Sequence, residues 1–178
     1  RKPESKLSNL LADILQWGGK SYHEKVDFAV YNMGGIRAAF AKGKVTYGDV
    51  VDVAPFENKI CFLTLTGEKV RELFAQIAAT GGEAVSHGVN LVISKDHKLM
   101  DCKLNGMPID DNKSYRVATL DYLAQGNDKL EAFKSGTDVV SPQTQENNVR
   151  FIIMNYFREQ KAQNKPVSRE IEGRIVVK

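Results

Sequence analysis

The chain has 178 residues, 42% of them hydrophobic and 26% charged, with a net charge of +3. Those figures fit one soluble domain with a buried core, and the charge is too small and too dispersed to argue for a nucleic-acid partner. No apolar run approaches the roughly 20 residues that span a bilayer, and no secretory signal is visible. The sequence starts at Arg1 and not at methionine, which reads as a processed or trimmed chain.

Leu7, Leu10, Leu11, Ile14 and Leu15 recur at helical spacing, with Ser5 as a cap and Gly18-Gly19 as a stop, so a first amphipathic helix is predicted to pack on a sheet. Val26–Tyr31 reads as a buried strand that ends abruptly in Asn32-Met33-Gly34-Gly35-Ile36-Arg37. Glycines after a strand let a ligand approach the backbone, and Arg37 adds five donors. The same stretch also fits a plain strand-ending turn. Thr46 caps a short helix over Tyr47–Val53, which Pro55 terminates. Lys59–Leu65 is a strong strand, and Thr66-Gly67 opens a helix with Val70, Leu73, Phe74 and Ile77 on one face.

Strands follow over Val89–Ser94 and Lys98–Leu104, with a sharp turn at Asn105-Gly106 before Met107-Pro108-Ile109. Tyr115–Leu120 is a further strand, leading into Asp121–Asp128, and Val139–Gln145 reads as a loop. Asn147 or Asn148 starts the longest helix, striped by Val149, Ile152, Ile153, Tyr156 and Phe157, and Arg174–Val177 reads as a short strand docking back into the sheet. With no repeat or linker, this is one α+β domain.

Cys61 and Cys102 lie in strand candidates and read as buried thiols, with a single disulfide as the alternative. His23, His87 and His97 are far apart, and no metal-ligand spacing, phosphate loop or nucleophile elbow is present. By its own residues the chain looks like a binding module and not a catalyst. Phe56 and Tyr122 stand where elements break. Exposed aromatics beside Arg and Asp suit a flat ligand with a polar rim, although both could instead close the core. Asp128 could equally be a turn-former capping a helix from about Lys129 to Phe133.

Taken together, these stretches resemble the C-terminal domain of the 5′-nucleotidase family, which includes UDP-sugar hydrolases and cyclic phosphodiesterases. Glu4–Asp13 is similar to that family's opening helix, and Asn32–Arg37 matches its N-x-G-G-I-R. Val45–Val50 with Ala54-Pro55-Phe56, then Leu65-Thr66-Gly67, then Ala118–Asp128 resemble its later motifs in the same order. The resemblance implies a mixed β-sheet packed by helices. It also implies that Phe56 and Tyr122 clamp a base, that Asp128 holds ribose hydroxyls, and that Asn32, Gly34, Gly35 and Arg37 face the nucleoside and its neighbouring group. Arg1 falls nearest to a further family arginine, with Lys6 where an asparagine is expected.

Three departures stand out: Ser8 replaces a glycine, and Asn127 and Lys129 stand where the family loop has glycines. Members of the family carry a separate metallophosphatase domain with two divalent metals and the catalytic residues. This chain is therefore expected to hold no cofactor of its own and to work with such a domain, in cis or as a partner. A scaffold module that no longer binds nucleotide is the alternative. Because members are mostly exported or surface-anchored, the expected location is periplasmic, secreted or at the surface.

Overall fold

The computed structural model describes residues 2–178. Helix α1, Lys6–Gly18, begins with a reciprocal cap: Ser8 N–H donates to Ser5 Oγ, and Ser5 N–H donates to Ser8 Oγ, both at 3.0 Å. Ser8 therefore completes a capping box that a glycine could not make. A Cβ on Gly18 would sit 2.9 Å from Ile152 Cγ2, so the helix ends where it meets the long C-terminal helix closely.

Strand β1, Phe28–Tyr31, leads into a 3-10 turn over Met33–Gly35, and helix α2, Tyr47–Val53, follows with Thr46 as its cap. Strand β2, Ile60–Thr66, runs directly into helix α3, Gly67–Ala79. The remaining elements are β3 (Ala84–Val85), β4 (Val89–Ile93), β5 (Leu99–Leu104), β6 (Met107–Pro108), β7 (Ser114–Leu120), α4 (Asp121–Ala124), β8 (Thr137–Val140), α5 (Val149–Ala162) and β9 (Ile175–Val177).

The strands divide between two mixed sheets, ordered β3-β1-β7-β2-β8 and β6-β5-β4-β9. In the larger sheet β1 and β7 are parallel, while β2 runs antiparallel to β7 with Ile60 opposite Leu120. Consequently the ends of β1 and β7 and the start of β2 all emerge at one edge. The C-terminal strand docks as expected, but in the smaller sheet, parallel to β4. Helices α1 and α3 cover the core, in which Phe28 and Phe74 meet at 5.2 Å between ring centroids and Leu11, Ile14, Leu15 and Val117 are also buried.

Two features differ from expectation. The segment from Val139, expected as loop, contributes to β8, which pairs with β2 through Phe62–Val140 and Thr64–Thr137. The strand is short and exposed along its whole length, so its pairing is set by β2 and not by its own pattern. Ala84–Val85 pairs antiparallel with β1, a two-residue strand without a sequence signature.

Both cysteines are free thiols and buried. Burial pushes the Cys61 thiol up to about 11 and raises Cys102 as well. Since the thiolate is the reactive species, iodoacetamide at pH 8 is expected to leave the native protein unmodified and to label both cysteines after unfolding in urea, as read by intact mass. Rapid native labelling would contradict this burial.

Candidate functional site

Three loops converge at the shared edge. The first follows β1. Asn32 is only 6% exposed, and its Nδ2 donates to Asp128 Oδ2 at 2.7 Å. Its Oδ1 is buried without a hydrogen-bond partner and would lie 2.7 Å from a Cβ on Gly35. Glycine at 35 is thus a packing requirement, which explains half of the double glycine. A Cβ on Gly34, in contrast, would meet nothing within 4 Å. The turn is pinned at both ends, since Met33 N–H donates to Glu83 Oε1 at 2.8 Å and Arg37 N–H to Val53 O at 2.9 Å.

The second loop joins α2 to β2 and carries Phe56 and Asn58. Phe56 is 47% exposed, so it does not close the core. The Arg37 guanidinium carbon lies 5.2 Å from the Phe56 ring centroid, while Arg37 Nε donates to Gly34 O at 2.7 Å. That cation–π contact joins the first loop to the second and fixes the arginine's direction. From behind, Arg150 on α5 donates to Ala54 O at 3.1 Å and to Pro55 O.

The third loop follows β7. Tyr122 is 38% exposed, and its hydroxyl donates to Asp128 Oδ1 at 3.0 Å. That bond holds the Tyr122 hydroxyl above the usual phenol range. Asp128 caps no helix: the following 3-10 turn is Glu131–Ser135 and begins without a side-chain cap, while the Asp128 carboxylate takes Asn32 and Tyr122 instead. Asp121 ties this loop to the second, its Oδ1 accepting from Tyr122 N–H at 2.8 Å and from Lys59 N–H at 3.1 Å.

The two substituted glycine positions behave differently. Lys129 has φ 64°, the left-handed region that favours glycine, so its side chain stands on strained backbone. At Asn127 the side chain contributes a bond, Nδ2 donating to Tyr122 O at 2.8 Å. Gly126, at φ 88° and with Lys134 packed against it, keeps the conformation a glycine requires.

Asn32, Gly34, Arg37, Phe56, Asn58, Tyr122 and Asp128 line one cleft of about 340 Å³. Gly35 lies beneath it, and Arg1 lies outside the described residues. Asn58 is the lining residue that sequence reasoning missed; its only signal is a position two residues past Phe56 in the same loop. The two rings do not stack on each other: among the described residues, no ring pair joins Phe56 and Tyr122. Also among the described residues, no group of three or more His, Cys, Asp or Glu could hold a metal ion. The cleft offers two exposed aromatic faces, a carboxylate and a cation, an arrangement suited to holding a flat ligand with a hydroxylated or anionic appendage.

Comparison with known proteins adds a family. The profile described as "5'-nucleotidase, C-terminal domain" matches residues 1–135. Protein UshA of Escherichia coli (strain K12) is 37% identical over 105 residues, which is 57% of this chain and 19% of UshA. The trifunctional nucleotide phosphoesterase protein YfkN of Bacillus subtilis (strain 168) is 30% identical over 190 residues, 98% of this chain and 12% of that protein. The crystal structure of a 5′-nucleotidase precursor from Thermus thermophilus superposes with a TM-score of 0.84 at 25% identity, covering 99% of this chain and 36% of that one. The chain thus spans a fifth or less of the length of these two curated relatives.

Proposed function

Because the chain belongs to the 5′-nucleotidase C-terminal domain family, we propose that its cleft grips the base and ribose of a nucleotide. A two-metal phosphatase domain, in the same parent chain or as a partner, hydrolyses the phosphate ester. The observation that carries this reading is the convergence of two exposed rings, Phe56 and Tyr122, with Asn32, Arg37 and Asp128 around one cleft. Aromatic faces accept any base, a carboxylate accepts from a vicinal diol, and a guanidinium donates to ribose or phosphate oxygens. On this reading the chain holds substrate and leaves the cutting to the other domain. Metal-dependent turnover by the pure chain would contradict that division of labour. On the same reading the protein works outside the cytoplasm, the usual setting of its family.

Calorimetry with adenosine, AMP and UMP tests the clamp. Phe56→Ala and Tyr122→Ala are each expected to weaken binding about tenfold, in line with the loss of one base–aromatic stack. Unchanged affinity in both variants, or no binding by the native chain even with a metallophosphatase added, would end this proposal.

A second reading, an interaction module that has lost its ligand, draws on Lys129, whose left-handed backbone stands where the family pattern has glycine. Such loss predicts rings collapsed on each other. The separated rings and open cleft favour the first reading.

A further inference from the structure

We infer that the Tyr122 hydroxyl is a specificity determinant for the sugar: it positions the Asp128 carboxylate so that ligands bearing a vicinal diol are preferred. The inference deepens the nucleotide reading above and rests on it.

Asp128 is held on both oxygens before any ligand arrives. Oδ2 accepts from Asn32 Nδ2 at 2.7 Å and Oδ1 from the Tyr122 hydroxyl at 3.0 Å. An ionised carboxylate has about four acceptor positions, so two bonds leave one free on each oxygen. A diol needs two acceptors at a fixed separation and orientation, and a carboxylate clamped at both oxygens cannot rotate out of that orientation. Backbone geometry adds to the restraint, because Asp128 and Lys129 are consecutive left-handed residues, at φ 57° and 64°.

The donor is itself fixed. Tyr122 N–H is bound by Asp121 Oδ1 at 2.8 Å, and Tyr122 O by Asn127 Nδ2 at 2.8 Å, so the residue is tied at both backbone groups and at the hydroxyl. The hydroxyl keeps its proton well into the alkaline range, because donation to Asp128 raises it above the ordinary phenol value. One side chain therefore serves both halves of a nucleoside, its ring as a stacking face and its hydroxyl through Asp128. A phenylalanine could do only the first. Asn127, one of the departures from the family's glycine loop, joins the same unit by fixing the Tyr122 carbonyl.

Preorganisation lowers the cost of ordering the acceptor when the sugar binds. Its removal should show as lost discrimination and not as lost stacking. The experiment measures adenosine and 2′,3′-dideoxyadenosine binding by calorimetry, for the native chain, Tyr122→Phe, Asp128→Asn and the double variant. Tyr122→Phe is expected to weaken adenosine about three- to tenfold and to leave dideoxyadenosine within about twofold, the size of one ordinary net hydrogen bond. On the Asp128→Asn background the same substitution should change neither ligand, since the hydroxyl acts through the carboxylate. Equal weakening of both nucleosides would reduce the hydroxyl to a structural role, and tighter adenosine binding would make it a competitor for Asp128. Either result, or an unchanged ratio, overturns the inference while leaving nucleotide binding intact. If the native chain binds neither nucleoside, with or without a metallophosphatase, the underlying nucleotide reading fails first and this inference falls with it.

Discussion

Arg174→Met is expected to lower the unfolding free energy by about 3–5 kcal/mol in urea titrations at neutral pH. Arg174 is 1% exposed, and its guanidinium forks onto Asp13, with one nitrogen 2.9 Å from Oδ1 and the other 2.9 Å from Oδ2. Its Nε donates to Glu172 Oε1 at 2.6 Å, and a terminal nitrogen donates to Val85 O at 2.8 Å. Methionine fills much of the volume but leaves two carboxylates and a carbonyl short of donors. Breaking one side of a buried pair costs more than the pair itself contributes, because the remaining charge stays desolvated. Arg169 still reaches Asp13 Oδ2 at 2.7 Å, which keeps the loss from growing further.

The effect should depend on pH with a definite sign. Burial raises the Asp13 carboxyl, but the Arg174 and Arg169 hydrogen bonds and the His87 N–H outweigh it and hold the group below the ordinary value of 3.8. A carboxylate depressed in the folded state contributes stability above its unfolded value and loses it as pH falls through the folded one. The gap between native and variant should therefore be widest near neutrality and narrow below about pH 4. A neutral-pH difference under about 1 kcal/mol would show that the site collapses around methionine without leaving the carboxylates unpaired.

Gly67→Ala is expected to cost about 3 kcal/mol, at the upper end for overpacking. A Cβ there would lie 1.8 Å from Asp110 O and 2.6 Å from Asp110 C, both backbone atoms, so no side-chain rotation relieves the clash. The glycine also donates its N–H to Lys113 O at 2.8 Å, so retreat of the 110–113 turn breaks that bond. Its φ is not in the left-handed region, which makes the requirement one of space and not of backbone freedom. Equilibrium urea unfolding checks it, and a loss under about 0.5 kcal/mol would mean that the turn yields freely.

Gly67 also shows what a motif can mean. Leu65-Thr66-Gly67 helped reveal the resemblance, yet its glycine lets a helix start pass under a neighbouring turn and touches no cleft residue. Local signals of this kind were legible: Ser5 and Thr46 each cap the helix they were expected to cap, and the helix expected to open at Thr66-Gly67 does so with Thr66 as its cap, because capping depends on three or four adjacent residues. The division into two sheets and the pairing of β8 were not, since both depend on partners far along the chain. For the cleft, Asn32, Phe56, Tyr122 and Asp128 each admitted a bland reading when taken alone. The parallel pairing of β1 with β7, which no single stretch encodes, puts the loops that carry Asn32 and Tyr122 at one edge. Asn58 stayed hidden because a lone asparagine between a helix stop and a strand carries no pattern.

The grip of Arg150 on the Ala54 and Pro55 carbonyls ties the Phe56 loop to a helix residue 95 positions past Pro55. Variation on that helix can then shift the placement of Phe56 without changing any residue that lines the cleft. Surveys of sequence drift confined to the residues that line the cleft would miss it, because Arg150 is not among them.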